Sequence, residues 1–269
     1  MTSIRLLVLD IDGTIAGESN QVTETVTQVI QEVQNCGISV ALATGRMYCS
    51  AKRFHETIKS SLPIIAYNGA WIQNPENKEI YSHVPVPKNI ASELLNYYQT
   101  YTQVEVHFYL EDQLYVENVT DNTQKYMQRS GLEAIAVGDL RNLLDRDPTK
   151  VLALSPEPNL TQHLAKELKQ RYSSEDLYLT QSNPIYLEAT HPLVNKGSAV
   201  QYLTEKVLGF SAEQVMAIGD NFNDLKMLEY AGFSVAMEDA PQEVKNVADW
   251  VAPSVEQDGV AKAINKFLL

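Results

Sequence analysis

Residues 4–14 read Ile4-Arg5-Leu6-Leu7-Val8-Leu9-Asp10-Ile11-Asp12-Gly13-Thr14. An apolar run ends abruptly in two carboxylates one residue apart, followed by Gly-Thr. A short apolar run bounded by turn residues fits a strand buried on both faces of a parallel sheet. In open parallel sheets, ligands bind at the carboxyl ends of the strands. Two acids at such an end repel each other unless a cation or a proton holds them together, so the pair points to a metal.

Outward from this strand the chain alternates. Val22, Val26, Val29, Ile30 and Val33 fall at helical spacing, with Thr23 as a capping residue and Gly37 as a stop. A second apolar strand, Ile38 to Ala43, runs into Thr44-Gly45-Arg46. After another helix, a third, Ile64 to Tyr67, ends at Asn68-Gly69. This predicts β-α-β-α-β, the opening of a parallel α/β sheet.

The pattern then changes. A polar-tipped hairpin is expected over 70–84, a helix over 89–100 and an antiparallel hairpin over 104–117. A strand at 150–155, an amphipathic helix at 160–172 and strands near 177–180 and 185–189 follow. From Lys196 the helix–strand alternation resumes through Gln214 to Ile218 and Gly219-Asp220. The expectation is a doubly wound, Rossmann-like parallel core, residues 1–82 with 190–269, interrupted by an inserted α+β domain at 83–189.

Bulk properties narrow the function. The 269 residues are 44% hydrophobic and 20% charged, enough to bury a core. The net charge is −13 and no Lys/Arg cluster appears, which argues against nucleic acid as a partner. Neither a membrane-spanning run nor a secretory signal is visible, so no membrane partner and a cytoplasmic location are expected. The two cysteines, Cys36 and Cys49, lack metal-ligand spacing and read as reduced, mostly buried thiols.

Four polar sites carry the chemistry: Asp10/Asp12, Thr44-Gly45, Lys196, and Asp220 with Asn223 and Asp224. Each alone has a plain structural explanation. Asp-Gly is a common turn pair, a helix N-cap accounts for one carboxylate of the last group, and most lysines sit in solvent. An EF-hand fails because Ile15 and Gln21 occupy the places of its Gly and Glu. Together, however, three of the sites begin at the carboxyl ends of predicted core strands and Lys196 heads a core helix, and in a doubly wound sheet those ends converge on one crevice. Carboxylates for a hard cation, with a lysine and amides for phosphate oxygens, suit phosphoryl transfer. Asp10 is placed to attack phosphorus and Asp12 to protonate the leaving oxygen and later deprotonate water.

These residues resemble the haloacid dehalogenase-like hydrolase superfamily, in particular its Cof-type phosphatases, whose large α/β cap lies between the second and third motifs. The first motif, DxDGT, stands at Asp10-Ile11-Asp12-Gly13-Thr14. The second is Thr44, the third Lys196, and the fourth, GDxxND, is Gly219-Asp220-Asn221-Phe222-Asn223-Asp224. The resemblance implies a Mg²⁺ held by Asp10, the backbone carbonyl of Asp12, and Asp220, with Asp224 supporting the metal or the lysine from behind. It also implies that Thr44, Lys196 and Asn223 hold the phosphate.

Gly45, Arg46 and Asn68, beside these motifs, are candidates for substrate contact. In the inserted domain His107, Tyr109, Tyr115 and Glu188 are weaker ones. The expected activity is a phosphatase acting on a small-molecule phosphate ester, such as a sugar phosphate or a nucleotide-like cofactor, as a monomer or homodimer. A phosphomutase using the same core is the alternative.

Overall fold

The computed structural model describes residues 4–181 and 183–269. The chain folds into two compact units, one running to Ser82 and resuming over Asn195–Leu269, the other His83–Val194.

The first unit is built on β1 (Leu6–Leu9), whose four residues are all fully buried. Each such side chain contributes about 1.5–3 kcal/mol on leaving water, so the end of this strand is firmly held. Helix α1 (Glu24–Asn35) follows, with the Thr23 hydroxyl accepting from the Val26 amide at its start. Gly37, at φ 86°, turns the chain away beyond its last turn. Strand β2 (Ser39–Leu42) then pairs parallel with β1, and α2 (Tyr48–Ile58) comes next.

The third strand departs from expectation. Strand β3 (Ile64–Ala66) meets the parallel sheet through one bridge, Ala43 to Ile65, and one bond, Thr44 N to Ile65 O at 2.8 Å. It pairs in antiparallel fashion with β4 (Trp71–Gln73), which with β5 (Ile80–His83) completes a separate three-stranded sheet. The reason is local. Tyr67, Asn68 and Gly69 all have positive φ (52°, 57° and 104°), and this turn sends the chain back after three strand residues.

The second unit holds a six-stranded mixed sheet. In chain order its elements are α3 (Lys88–Tyr98), β6 (Glu105–Leu110), β7 (Gln113–Val116), α4 (Asp121–Ser130), β8 (Ala134–Ala136), β9 (Lys150–Leu154), α5 (Pro158–Arg171), β10 (Tyr178–Thr180) and β11 (Tyr186–Thr190). The sheet order is β10-β11-β9-β6-β7-β8, antiparallel except for β7 with β8. Glu111 and Asp112, both at positive φ (51° and 58°), form the two-residue link between β6 and β7. That backbone matches the twist of the flanking strands. Phe108, Leu110, Val151, Ala153, Leu187 and Ala189 share one cluster with Leu94 and Leu95 of α3 and Leu164 and Leu168 of α5.

The first unit resumes with α6 (Lys196–Tyr202), β12 (Val215–Gly219), α7 (Leu225–Tyr230), β13 (Phe233–Met237), α8 (Gln242–Val247), β14 (Trp250–Ala252) and α9 (Gly259–Phe267). The order β14-β13-β12-β1-β2 is parallel throughout. Leu6, Val8, Ala41, Val215, Ala217 and Ala236 pack with α6, α7 and α8 through Ala199, Val200, Met227, Leu228 and Val244. The alternating residues Leu7 and Leu9 are also fully buried and point to the other face; α1 and α9 pack together and touch β2 and β14 respectively.

Cys36 and Cys49 are exposed, contrary to the expectation of buried thiols, and neither forms a disulfide. Cys36 follows the last turn of α1 and Cys49 lies on the outer side of α2's first turn, so neither faces a core. Among the described residues no helix is long and apolar enough to cross a membrane.

Candidate active site

All ten core candidates lie in the first unit, at the carboxyl ends of β1, β2, β3 and β12 and the start of α6. Asp10 follows β1 directly, its amide bonded to Ile218 O at 3.1 Å. Lys196 is completely buried, and its Nζ lies 2.6 Å from Asp10 Oδ1 and 2.6 Å from Asp224 Oδ1. Two of its three N–H groups are thereby used.

Both oxygens of Asp224 are engaged. Its Oδ1 takes Lys196, and its Oδ2 accepts from the amides of Asp220 (2.9 Å) and Asn221 (3.1 Å). This carboxylate ties the lysine to the loop after β12. Gly219 is required beneath it, because a Cβ there would sit 2.6 Å from the Asp224 Cβ.

Asp10, Asp220 and Asp224 each offer a carboxylate oxygen within 4.8 Å of the others. Burial, opposed in part by Lys196, pushes the Asp10 carboxyl well above its usual value, and Asp224 and Asp220 add to the shift. Burial, with the Asp224 charge, pushes Asp220 up to about 7. Burial also disfavours the Lys196 ammonium, but Asp10 and Asp224 outweigh it and hold it above the ordinary lysine value. Three carboxylates thus gather around one buried ammonium, more acid than cation. Oxygen donors short of positive charge suit a hard divalent ion. Asp10 and Asp220 have oxygens to give it, whereas Asp224 is committed to the lysine and the two amides.

The Asp12 side chain is 61% exposed and held by the Arg46 fork, Nε to Oδ2 at 2.8 Å and Nη2 to Oδ1 at 2.6 Å. Arg46, expected at the substrate, thus spends two donors on Asp12. Gly13 has φ 81°, and a Cβ there would meet Asp220 Oδ2 at 2.3 Å, so only glycine lets this loop come so close to the acid. The Thr14 hydroxyl lies 3.5 Å from Asp220 Oδ1.

The Thr44 hydroxyl is buried and accepts from the Arg46 amide at 3.1 Å, while the Thr44 carbonyl accepts from the Asn68 amide at 2.8 Å. Asn68 Oδ1 accepts from Asn223 Nδ2 at 2.9 Å. A Cβ at Gly45 would come within 3.1 Å of Asn68 Oδ1, so the glycine makes room for that amide.

In the second unit, His107, Tyr109 and Glu188 share a sheet face and Tyr115 does not; it packs with the apolar cluster under α3 and α5. Glu188 Oε2 accepts from buried Lys150 Nζ at 3.1 Å, and Tyr109 donates to the Tyr126 hydroxyl at 2.8 Å. Burial, with a contribution from Lys150, holds His107 neutral by pushing it down to about 3.

Sequence reasoning missed Asn20 and Phe54. Asn20 Oδ1 lies 2.5 Å from Arg46 Nη2, and the Phe54 ring lies 4.6 Å below the Arg46 guanidinium. Neither belongs to a motif.

A family model described as haloacid dehalogenase-like hydrolase matches residues 7–264. The chain belongs to the haloacid dehalogenase-like hydrolases. Two Bacillus subtilis proteins named 5-amino-6-(5-phospho-D-ribitylamino)uracil phosphatase are similar to it. YcsE is 29% identical over 99% of this chain and 96% of its own; YitU is 27% identical over 97% of each. A haloacid dehalogenase-like hydrolase from Bacteroides thetaiotaomicron superposes with a TM-score of 0.90 at 26% identity, covering 98% of this chain and 99% of that one. As in that structure, a parallel core sheet accompanies a separate mixed cap sheet. This member of the family is a phosphatase, and its acid cluster implies a metal.

Proposed function

We propose that the chain is a Mg²⁺-dependent phosphatase of phosphorylated sugars, polyols or nucleotide-like cofactor precursors, working through an aspartyl-phosphate on Asp10. The observation that carries this reading is Lys196, fully buried between Asp10 and Asp224 beside the Asp220 carboxylate. A buried ammonium that neutralises a nucleophile and keeps one N–H in reserve suits a transferring phosphate. The names of YcsE and YitU support including phosphorylated ribityl compounds.

Asp10 and Asp220, with the Asp12 backbone carbonyl, would hold the ion. When bound, it supplies the charge that lets a carboxylate approach a phosphate dianion. An Asp10 oxygen attacks phosphorus, the P–O ester bond breaks, and Asp12 gives its proton to the departing oxygen. Asp12 then takes a proton from water, which attacks phosphorus and breaks the bond to Asp10, freeing inorganic phosphate. Thr44, Gly45, Lys196 and Asn223 bind the phosphate oxygens, and Asn68 orients Asn223.

A panel of sugar phosphates, the ribitylaminouracil phosphate and phosphoglycolate tests the proposal, with phosphate release and isomer formation both measured. Phosphate release that requires Mg²⁺ is expected for at least one sugar or polyol phosphate. No release from any member, or isomer without phosphate, as a phosphomutase would give, overturns it.

A further inference from the structure

We infer that Arg46 is a positioning residue that holds the Asp12 carboxylate for proton transfer to the leaving group; this rests on the reading of Asp12 as the acid. Asp12 stands in a glycine-hinged turn with its side chain 61% exposed. A solvated carboxylate so placed samples several rotamers, whereas a leaving-group acid must stay within hydrogen-bond reach of one oxygen. Arg46 removes that freedom through its Nε and Nη2, which reach one Asp12 oxygen each, at 2.8 and 2.6 Å; when Asp12 carries the proton it donates, the protonated oxygen gives up its Arg46 bond and the other oxygen keeps its own, so the acid stays oriented. A planar fork fixes direction as well as distance.

The fork is itself fixed from three sides. Asn20 Oδ1 accepts from the same Nη2 at 2.5 Å, the Phe54 ring lies 4.6 Å under the guanidinium, and the Arg46 amide is bonded to the Thr44 hydroxyl. Only 13% of the Arg46 side chain is exposed, in contrast to the acid it holds. Its Nη1 is buried without a partner, the one corner left for a ligand. A rival role, binding the substrate through Nη1, therefore makes a different prediction.

The distinguishing property is the need for an acid. A p-nitrophenolate departs unaided, while an alkoxide must be protonated. In Arg46→Ala, kcat on an alkyl phosphate such as a sugar phosphate should fall about 30-fold or more relative to kcat on p-nitrophenyl phosphate. Arg46→Lys, which offers a single donor, should fall between wild type and alanine, and added guanidinium ion should restore Arg46→Ala on the alkyl ester. Asp12→Asn is measured in parallel and should show the same selective loss.

Equal losses on both esters in Arg46→Ala, or a rise in KM alone, overturn the positioning role. If Asp12→Asn shows no selectivity, Asp12 is not the acid and the mechanism above fails with it. Selectivity in Asp12→Asn without selectivity in Arg46→Ala removes only the inference about Arg46.

Discussion

Lys196 shows how one residue's surroundings decide its contribution. Its ammonium is completely buried and is matched by two carboxylates at 2.6 Å. Removing one partner of such a pair leaves uncompensated charge and costs about 3–5 kcal/mol. Lys196→Met should therefore lower stability by that order, read as a drop in the urea midpoint of the metal-free protein.

Asp220 makes the fold sensitive to pH. Its carboxyl is raised from 3.8 to about 7 by burial and by Asp224. The stability carried by its protonated form is thus present at low pH and lost as pH rises through about 7. A divalent ion needs the ionised form, so the rise in Tm caused by Mg²⁺ should be larger at pH 8 than at pH 6. An equal or smaller rise at pH 8 would contradict this.

The residues that carry these effects were legible from motifs, Asp220 at a strand end and Lys196 at the head of a helix. The contacts of Arg46 were not: a guanidinium beside a crevice reads as a substrate ligand until its partners, Asp12 and Asn20, are located.

Among the elements, the loop after β1 depends on one backbone conformation. Gly13 has a φ of 81° and leaves no room for a Cβ against Asp220. Strained backbone positions cost about 1–3 kcal/mol each. Gly13→Ala should keep the fold, whose core lies in β1 and its neighbours, while weakening Mg²⁺ binding by about tenfold, the equivalent of the lower part of that range. Titration calorimetry checks it; unchanged affinity would show that the loop can shift freely.

Strands with continuous apolar runs and helices with apolar stripes could be read from residue order. Helix α4 could not, since its sequence Asp121-Asn-Thr-Gln-Lys-Tyr-Met-Gln-Arg-Ser130 has no apolar stripe. Thr120 caps it, and Glu105 accepts from the Thr120 and Thr123 hydroxyls and the Asn122 amide. Tertiary hydrogen bonds thus hold this element, and no local pattern announces them. The reversal of β3 was hidden for a related reason. Tyr67 carries a φ of 52°, a conformation that its residue type does not suggest. Its amide and that of Asn68 bond to the Arg46 and Thr44 carbonyls, each at 2.8 Å.

For the whole molecule, the parallel sheet gathers four sequence-distant segments into one site, and the acids so assembled lack counter-charge. EDTA should accordingly abolish hydrolysis and Mg²⁺ restore it; a metal-independent rate would remove Asp220 from its role. The central claim is the covalent one, that Asp10 becomes phosphorylated. Enzyme quenched in acid during turnover, reduced with borohydride and digested should show homoserine at position 10 by mass spectrometry. Turnover with Asp10 unmodified, or reduction at a different carboxylate, would contradict the account.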